Sequence, residues 1–372
     1  MNLAESDAIP PPLFAKKIIV GLSIFAVFFI LAVVLWQGAE VFLLVFAGLL
    51  LAIFLRSLSD FLSRHTPLSD NWSLIVVLAA ITGLIALGAW FLSDSMQRQF
   101  DELSDQLPAA FEQARQRISQ YPIGRRVIEQ IPSPTQLAER QTGNLFGRVT
   151  GFFSTAFNVA VNVLVILITG VYFAFNPQLY SDGVIKLAPK KREKRAREIL
   201  STVEYTLHRF LLGIFAAMTI NGAITAVGLW LLGVPFAIPL GIITGLLNFI
   251  PNIGPIMASV PAILIAFSIS PTLALYVALL YLAVQNIDGF VTTPLIQQRA
   301  VSIPPVLIIA AQLLLAVMFG FLGLLLAVPL VAALFVLVKM IYVEDILGRR
   351  VEVKGETEAK EKVETEVLQS DG

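Results

Sequence analysis

The sequence predicts an all-α fold: a polytopic transmembrane helical protein with proline-broken helical hairpins and a small extracytoplasmic helical insertion. Three observations carry that prediction. Hydrophobic residues make up 57% of the chain and charged residues 14%, where soluble domains run near 45–50% and about 25%; mean hydropathy is +0.81. Apolar runs recur from Ile18 to Ile341, several of them long enough for a hydrocarbon core of about 30 Å. The later runs are cut by proline, which removes a backbone donor and clashes with the preceding turn.

Residues 1–15 read as a polar, proline-bearing cytoplasmic tail rather than a cleavable signal, because the run after Lys16 and Lys17 exceeds the roughly 7–15 residues of a signal core. Residues 16–93 read as three transmembrane helices: Ile18–Trp36, a turn at Glu40, a return over Val41–Leu55, then Trp72–Leu92 with Trp72 and Trp90 at interface depth. Residues 94–150 differ. They hold no lysine, and Phe100, Leu103, Leu107, Phe111, Ala114 and Ile118 recur at helical spacing, which predicts an amphipathic insertion with Pro108 starting a second helix. An apolar stripe of that size predicts self-association into a homo-oligomer.

Residues 151–175 form the fourth span, with Asn158 and Asn162 on one face as interhelical glue. Residues 176–208 form a basic cytoplasmic loop. Lys186, Lys190, Lys191, Arg192, Lys194, Arg195 and Arg197 cluster there, and basic residues of short loops stay inside. This topology signal needs neither nucleic acid nor anionic lipid as a partner. It places 94–150 outside and, with Lys16, Lys17, Arg349 and Arg350, both termini in the cytoplasm. Residues 209–343 form a transport core with two broken hairpins, and 344–372 a charged, disordered tail.

The core centres on Gly233–Phe267, punctuated by Pro235, Pro239, Pro251, Pro255 and Pro261. Asn248, Pro251, Asn252 and Gly254 mark its middle. The stretch reads as a hairpin that enters the membrane and turns back; two short full crossings are the alternative. Such breaks survive at membrane depth only where protein or a water-filled cavity covers them, and transporters build sites from them. Val306–Met318 and Leu322–Ile341 repeat the design around Phe319-Gly320-Phe321.

NFIPNIGP, then VQNIDGFVTTPLIQQRAVSIPPVLI and FGFLGLLLAVPL, resemble the autoinducer-2 exporter family of bacterial membrane proteins. The resemblance extends weakly from the first apolar helix to about Val343. Ile214 departs from it, standing where the family often has glutamine after a glycine. The resemblance implies a homo-oligomer in the bacterial inner membrane. For some members it implies export of autoinducer-2, for others exchange of a monovalent cation for protons.

Asp288 is the single acid between Phe210 and Ile341. An ionised carboxylate in hydrocarbon needs a partner, a proton or water, so it reads either as an interfacial aspartate or as an ion-coupling group. Asn221, Asn248, Asn252, Gln285, Asn286 and Gln312 add neutral polar groups, suited to an uncharged hydroxylated solute or a partly dehydrated cation. Cysteine is absent, and no HExxH, GxSxG, phosphate-loop or dinucleotide motif stands in the chain; no enzyme, metal or cofactor is expected. A secondary transporter is the leading reading, with a membrane scaffold and a channel as alternatives.

The sidedness has a direct test. Cysteine placed at Ser104 should react with an impermeant reagent applied from outside, and cysteine at Ser181 should not; the reverse pattern rejects the topology.

Overall fold

The computed structural model describes residues 11–91, 93–120, 145–251, 253–289 and 304–349. The expectations for residues before 11, for 121–144, for Asn252, for 290–303 with Pro294 and Arg299, and for the tail from 350 lie outside the described residues. Within them the chain is helical, with no strand. Among the described residues, four stretches are long and apolar enough to cross a membrane: Gly38–His65, Asn158–Phe175, Lys190–Leu231 and Pro305–Ile346.

Helix α1 runs unbroken from Pro11 to His65. The turn expected at Glu40 is absent. Around it the sequence offers one glycine, Gly38, and no proline, and a lone glycine costs only about 1 kcal/mol in a helix. Pro11 and His65 therefore lie at opposite ends of α1, and placing both chain ends on one side loses the turn it depended on. Helix α2 covers Asp70–Phe91.

Helix α3, Ser93–Ser119, passes through Pro108 instead of restarting there. The interior proline costs about 3 kcal/mol. Burial of Leu103, Ala110 and Ala114 offsets it, since one fully buried Leu-sized side chain contributes about 1.5–3 kcal/mol.

Helix α4 spans Leu145–Phe175 and crosses α1 where small residues meet. A Cβ on Gly48 would collide with Thr169, and one on Gly170 with Leu51. Close backbone approach, the usual device between membrane helices, joins this pair. Asn158 is exposed and Asn162 half-buried; neither supplies the expected glue among the described residues.

The expected basic loop is mostly helix. Helix α5, Pro177–Ile185, starts on its proline, a 3₁₀ turn covers Lys190–Arg192, and α6 runs from Glu193 to Leu231. Its 39 residues make a rod of about 58 Å at 1.5 Å per residue.

The first broken hairpin is present. Helix α7 covers Ala237–Leu247 and α8 covers Ile253–Ile269. Pro239 and Pro255 each stand third in their helix, among the amides that have no intrahelical acceptor, and so cost no hydrogen bond. Pro251 sits in the break, and Pro261 is carried inside α8. Gly254 closes the tip: a Cβ there would overlap the Leu247 carbonyl oxygen.

Helix α9, Pro271–Ile287, is capped by Ser270, whose hydroxyl oxygen accepts from the Leu273 amide at 3.1 Å. Helix α10 covers Pro305–Leu337 in two limbs that meet at Gly320, φ 60° and ψ −142°, a backbone region open essentially to glycine alone. A Cβ on Gly323 would strike the Leu315 carbonyl oxygen. Eight residues of straight helix would hold those positions about 12 Å apart, so the chain folds back at Gly320 into the second hairpin. A π-helical stretch, Val338–Ile346, follows.

Close contacts fix the chain directions. Gly245 meets the Met218 carbonyl and Gly241 meets Ala226, so α7 runs antiparallel to α6. Ile199 packs with Val336 and Met340, and Arg195 pairs with Glu344 at 2.8 Å and Asp345 at 2.9 Å, so the second limb of α10 is also antiparallel to α6. The α7–α8 tip thus points toward the basic end of the bundle, and the α10 tip points away from it.

Helix α3 packs on α8 and α7 near the other end, its Arg117 lying over the Phe267 ring at 6.0 Å. The apolar stripe that predicted a second subunit is largely covered within the chain.

Filling the hairpin tip should be costly. Gly254→Ala is expected to lose about 1–3 kcal/mol of stability, the usual size of an overpacking penalty. Gly83→Ala, where the space around the glycine is open, should leave the melting temperature unchanged or slightly raised. Thermal melts of both variants in one detergent decide it.

Candidate functional site

The residues singled out by sequence fall into two pairs and some outliers. Asn221 is buried on α6, and its Nδ2 donates to Asp288 Oδ1 at 2.7 Å. Asp288 is half-buried where α9 ends. Gln312 is fully buried in the first limb of α10, and its Nε2 donates to the Pro251 carbonyl at 3.1 Å. Asn248 is buried at the end of α7 beside that break.

Both amide orientations are forced. A carboxylate and a backbone carbonyl only accept, so the NH₂ ends of Asn221 and Gln312 must face them. Asn221 Oδ1 and Gln312 Oε1 are left buried with no partner among the described residues, as is Thr225 Oγ1 one turn beyond Asn221 on α6. A buried acceptor left unsatisfied costs about 1–3 kcal/mol. Three such oxygens and a carboxylate favour an occupant that donates hydrogen bonds or carries positive charge.

The outliers are plain. Asn286 is exposed and donates back to the Leu282 carbonyl at 2.7 Å, on its own helix. Gln285 is half-buried, and its side chain makes no hydrogen bond among the described residues. Neither joins the two pairs. Ile214 is buried in the wall of α6.

Sequence reasoning missed a second network. Thr244 of α7 contacts the Tyr281 hydroxyl of α9 at 2.9 Å, and that hydroxyl reaches the Ala258 carbonyl of α8 at 3.3 Å. It ties both arms of the first hairpin to α9. It missed the α6–α7 crossing too, where a Cβ on Gly222 would lie 3.1 Å from the Gly241 carbonyl oxygen. The signal was available as Gly241-xxx-Gly245, a small-residue spacing typical of close membrane helices.

The basic cluster also divides. Lys186, Lys190, Lys191, Arg192 and Lys194 are exposed. Arg197 pairs with Asp182 at 3.1 Å, and Arg195 meets Glu198 at 2.9 Å besides its two partners after α10. A partly buried network of that kind is worth more than the roughly 0–1 kcal/mol of an isolated surface pair. Arg195 is therefore a structural clamp between α6 and the end of α10.

This is a multi-pass helical membrane protein of the broken-hairpin kind. A family profile described as AI-2E family transporter matches residues 22–342, and the chain belongs to that family. YrrI, an inferred transport protein of Bacillus subtilis (strain 168), is 33% identical over 202 residues, 53% of this chain and 57% of YrrI. YueF of the same organism, likewise an inferred transport protein, is 28% identical over 195 residues, 51% of this chain and 52% of YueF. The chain thus matches little more than half the length of either. MT0215 of Mycobacterium tuberculosis (strain CDC 1551 / Oshkosh), also an inferred transport protein, is 27% identical over 344 residues, 89% of this chain and 92% of MT0215.

The Asn221–Asp288 pair should show direct coupling. In a double-mutant cycle with Asn221→Ala and Asp288→Ala, the expected interaction is on the order of 1 kcal/mol. That lies between the average interhelical bond in membrane proteins, about 0.6, and a hydrogen bond to a charged group, about 1.5–3. Additive melting shifts would show that the two side chains do not interact.

Proposed function

We propose that this chain is a secondary transporter for a small polar solute or a monovalent cation, moved at the meeting of its two broken hairpins. One observation carries the reading. The hairpins point in opposite directions along α6, and the Gln312 side chain of one holds the broken backbone of the other at Pro251. Opposed hairpins with interrupted backbone are how secondary transporters place a site that each side of the membrane reaches in turn. The buried, unpartnered oxygens of Asn221, Thr225 and Gln312 support a ligand rich in hydrogen-bond donors, or a cation. A scaffold has no use for buried acceptors left open beside a helix break and beside a carboxylate. Family membership and the names of YrrI, YueF and MT0215 agree with transport. Export of a metabolite such as autoinducer-2 and cation–proton exchange are the two forms this activity takes in the proposal. The basic end faces the cytoplasm, and α3 lies on the other side.

Flux separates these forms. In proteoliposomes, Asp288→Asn keeps size and removes charge, so exchange driven by a proton gradient should lose its pH dependence. Gln312→Leu keeps bulk and removes both the contact to Pro251 and the open oxygen, so solute flux should fall about tenfold or more, the equivalent of one lost buried polar contact. Wild-type flux and pH dependence in both variants, with unchanged melting, would reject the transport path.

A further inference from the structure

A second polar site lies away from the hairpins. At the basic end, α1, α2, α4 and α5 border an open cavity of about 490 Å³. Arg56, Asp70, Asn71, Asn176 and Gln178 are among its lining residues. Arg56 is half-buried, its Nη1 is buried, and it has no partner among the described residues. Asp70 lines the same cavity, yet no ion pair joins the two. A guanidinium nitrogen buried without an acceptor is costly, and an anion is what relieves it. One cation and one carboxylate that do not pair, in a lining that also holds Asn71, Asn176 and Gln178, match a ligand that carries both charges.

The position says where such a ligand comes from. The cavity sits where two membrane-crossing stretches end, at Phe175 and shortly before His65. Trp72 beside it is 62% exposed, and Leu179 on its rim is 69% exposed. Tyr172 and Tyr180 are exposed nearby on α4 and α5. Aromatic side chains gather at the level of lipid headgroups, and basic pockets between helices at that level receive them.

We propose that this cavity holds a zwitterionic phospholipid headgroup, its phosphate on Arg56 and its primary ammonium on Asp70. Asn71, Asn176 and Gln178 supply neutral donors and acceptors around the phosphate and glycerol oxygens. The same phosphate–amine chemistry exists in soluble phosphoethanolamine. The open, apolar rim favours the lipid, whose acyl chains lie along the exposed faces of Leu167, Ile168 and Tyr172.

Native mass spectrometry of the full chain in mild detergent tests this. Phosphatidylethanolamine, phosphatidylglycerol and phosphatidylcholine are added in equal amounts, with phosphoethanolamine in a separate arm. Wild-type protein should retain phosphatidylethanolamine about tenfold over the other two lipids, the discrimination expected from one charged hydrogen-bonded contact. Arg56→Gln should lower that retention about tenfold, and Asp70→Asn should bring phosphatidylethanolamine level with phosphatidylglycerol. Equal retention of the three lipids by wild-type protein overturns the proposal without any variant being needed. Unchanged retention in a folded Arg56→Gln variant also overturns it, as does capture of phosphoethanolamine with no lipid retained.

Discussion

A helix broken inside a hydrophobic layer exposes carbonyls that no water reaches, and each must find a donor within the protein. The rest of this structure follows from how that demand is met. The Pro251 carbonyl accepts from the Ile253 amide at 2.8 Å and also from the Gln312 side chain, sixty-one residues further along the chain, at 3.1 Å. Inside α8 the Ala258 carbonyl is reached additionally by the Tyr281 hydroxyl, which also engages Thr244 of α7. Once side chains of α9 and α10 are committed to the first hairpin, neither hairpin can be placed independently. The glycine contacts between α6 and α7 complete the arrangement by letting the broken element lie directly against an unbroken one.

The breaks themselves were legible in the sequence. Proline spacing between 235 and 261 marked the first, and Phe319-Gly320-Phe321 marked the second, because both rest on backbone rules that act locally. What failed was also local in appearance but tertiary in cause. Glu40 looked like a turn because it is charged within an apolar run, yet nothing there prevents α1 from continuing. Pro108 looked like a helix start, yet packing of α3 on α8 carries the helix past it. The stripe on α3 was identified, but its partner was not. A single sequence shows that an apolar face needs covering and does not say which element covers it.

The candidate site was half legible for the same reason. Asn221, Asp288, Gln312 and Pro251 stood out as polar or breaking groups in an apolar context, and the fold joins them in pairs. Asn286 stood out equally, and the fold turns it away to its own helix. Periodicity could not decide this, since Asn286 and Asp288 lie at a helix end where the apolar faces are short. Thr225, Thr244 and Tyr281 were invisible because threonine and tyrosine are unremarkable in membrane helices until their partners are known.

The length of α6 has a mechanical consequence. One continuous helix carries Asn221 among the broken hairpins and Arg195 in the ionic clamp with Glu198, Glu344 and Asp345. Those two positions stand about 39 Å apart at 1.5 Å per residue. Tilting α6 as one body by about 5° would swing the far position by about 3 Å, the leverage of its helical rise. That is the breadth of a hydrogen bond. A tilt of α6 that shifts Asn221 against the half-buried Asp288 carboxylate therefore shifts Arg195 against Glu344 and Asp345 by a comparable distance.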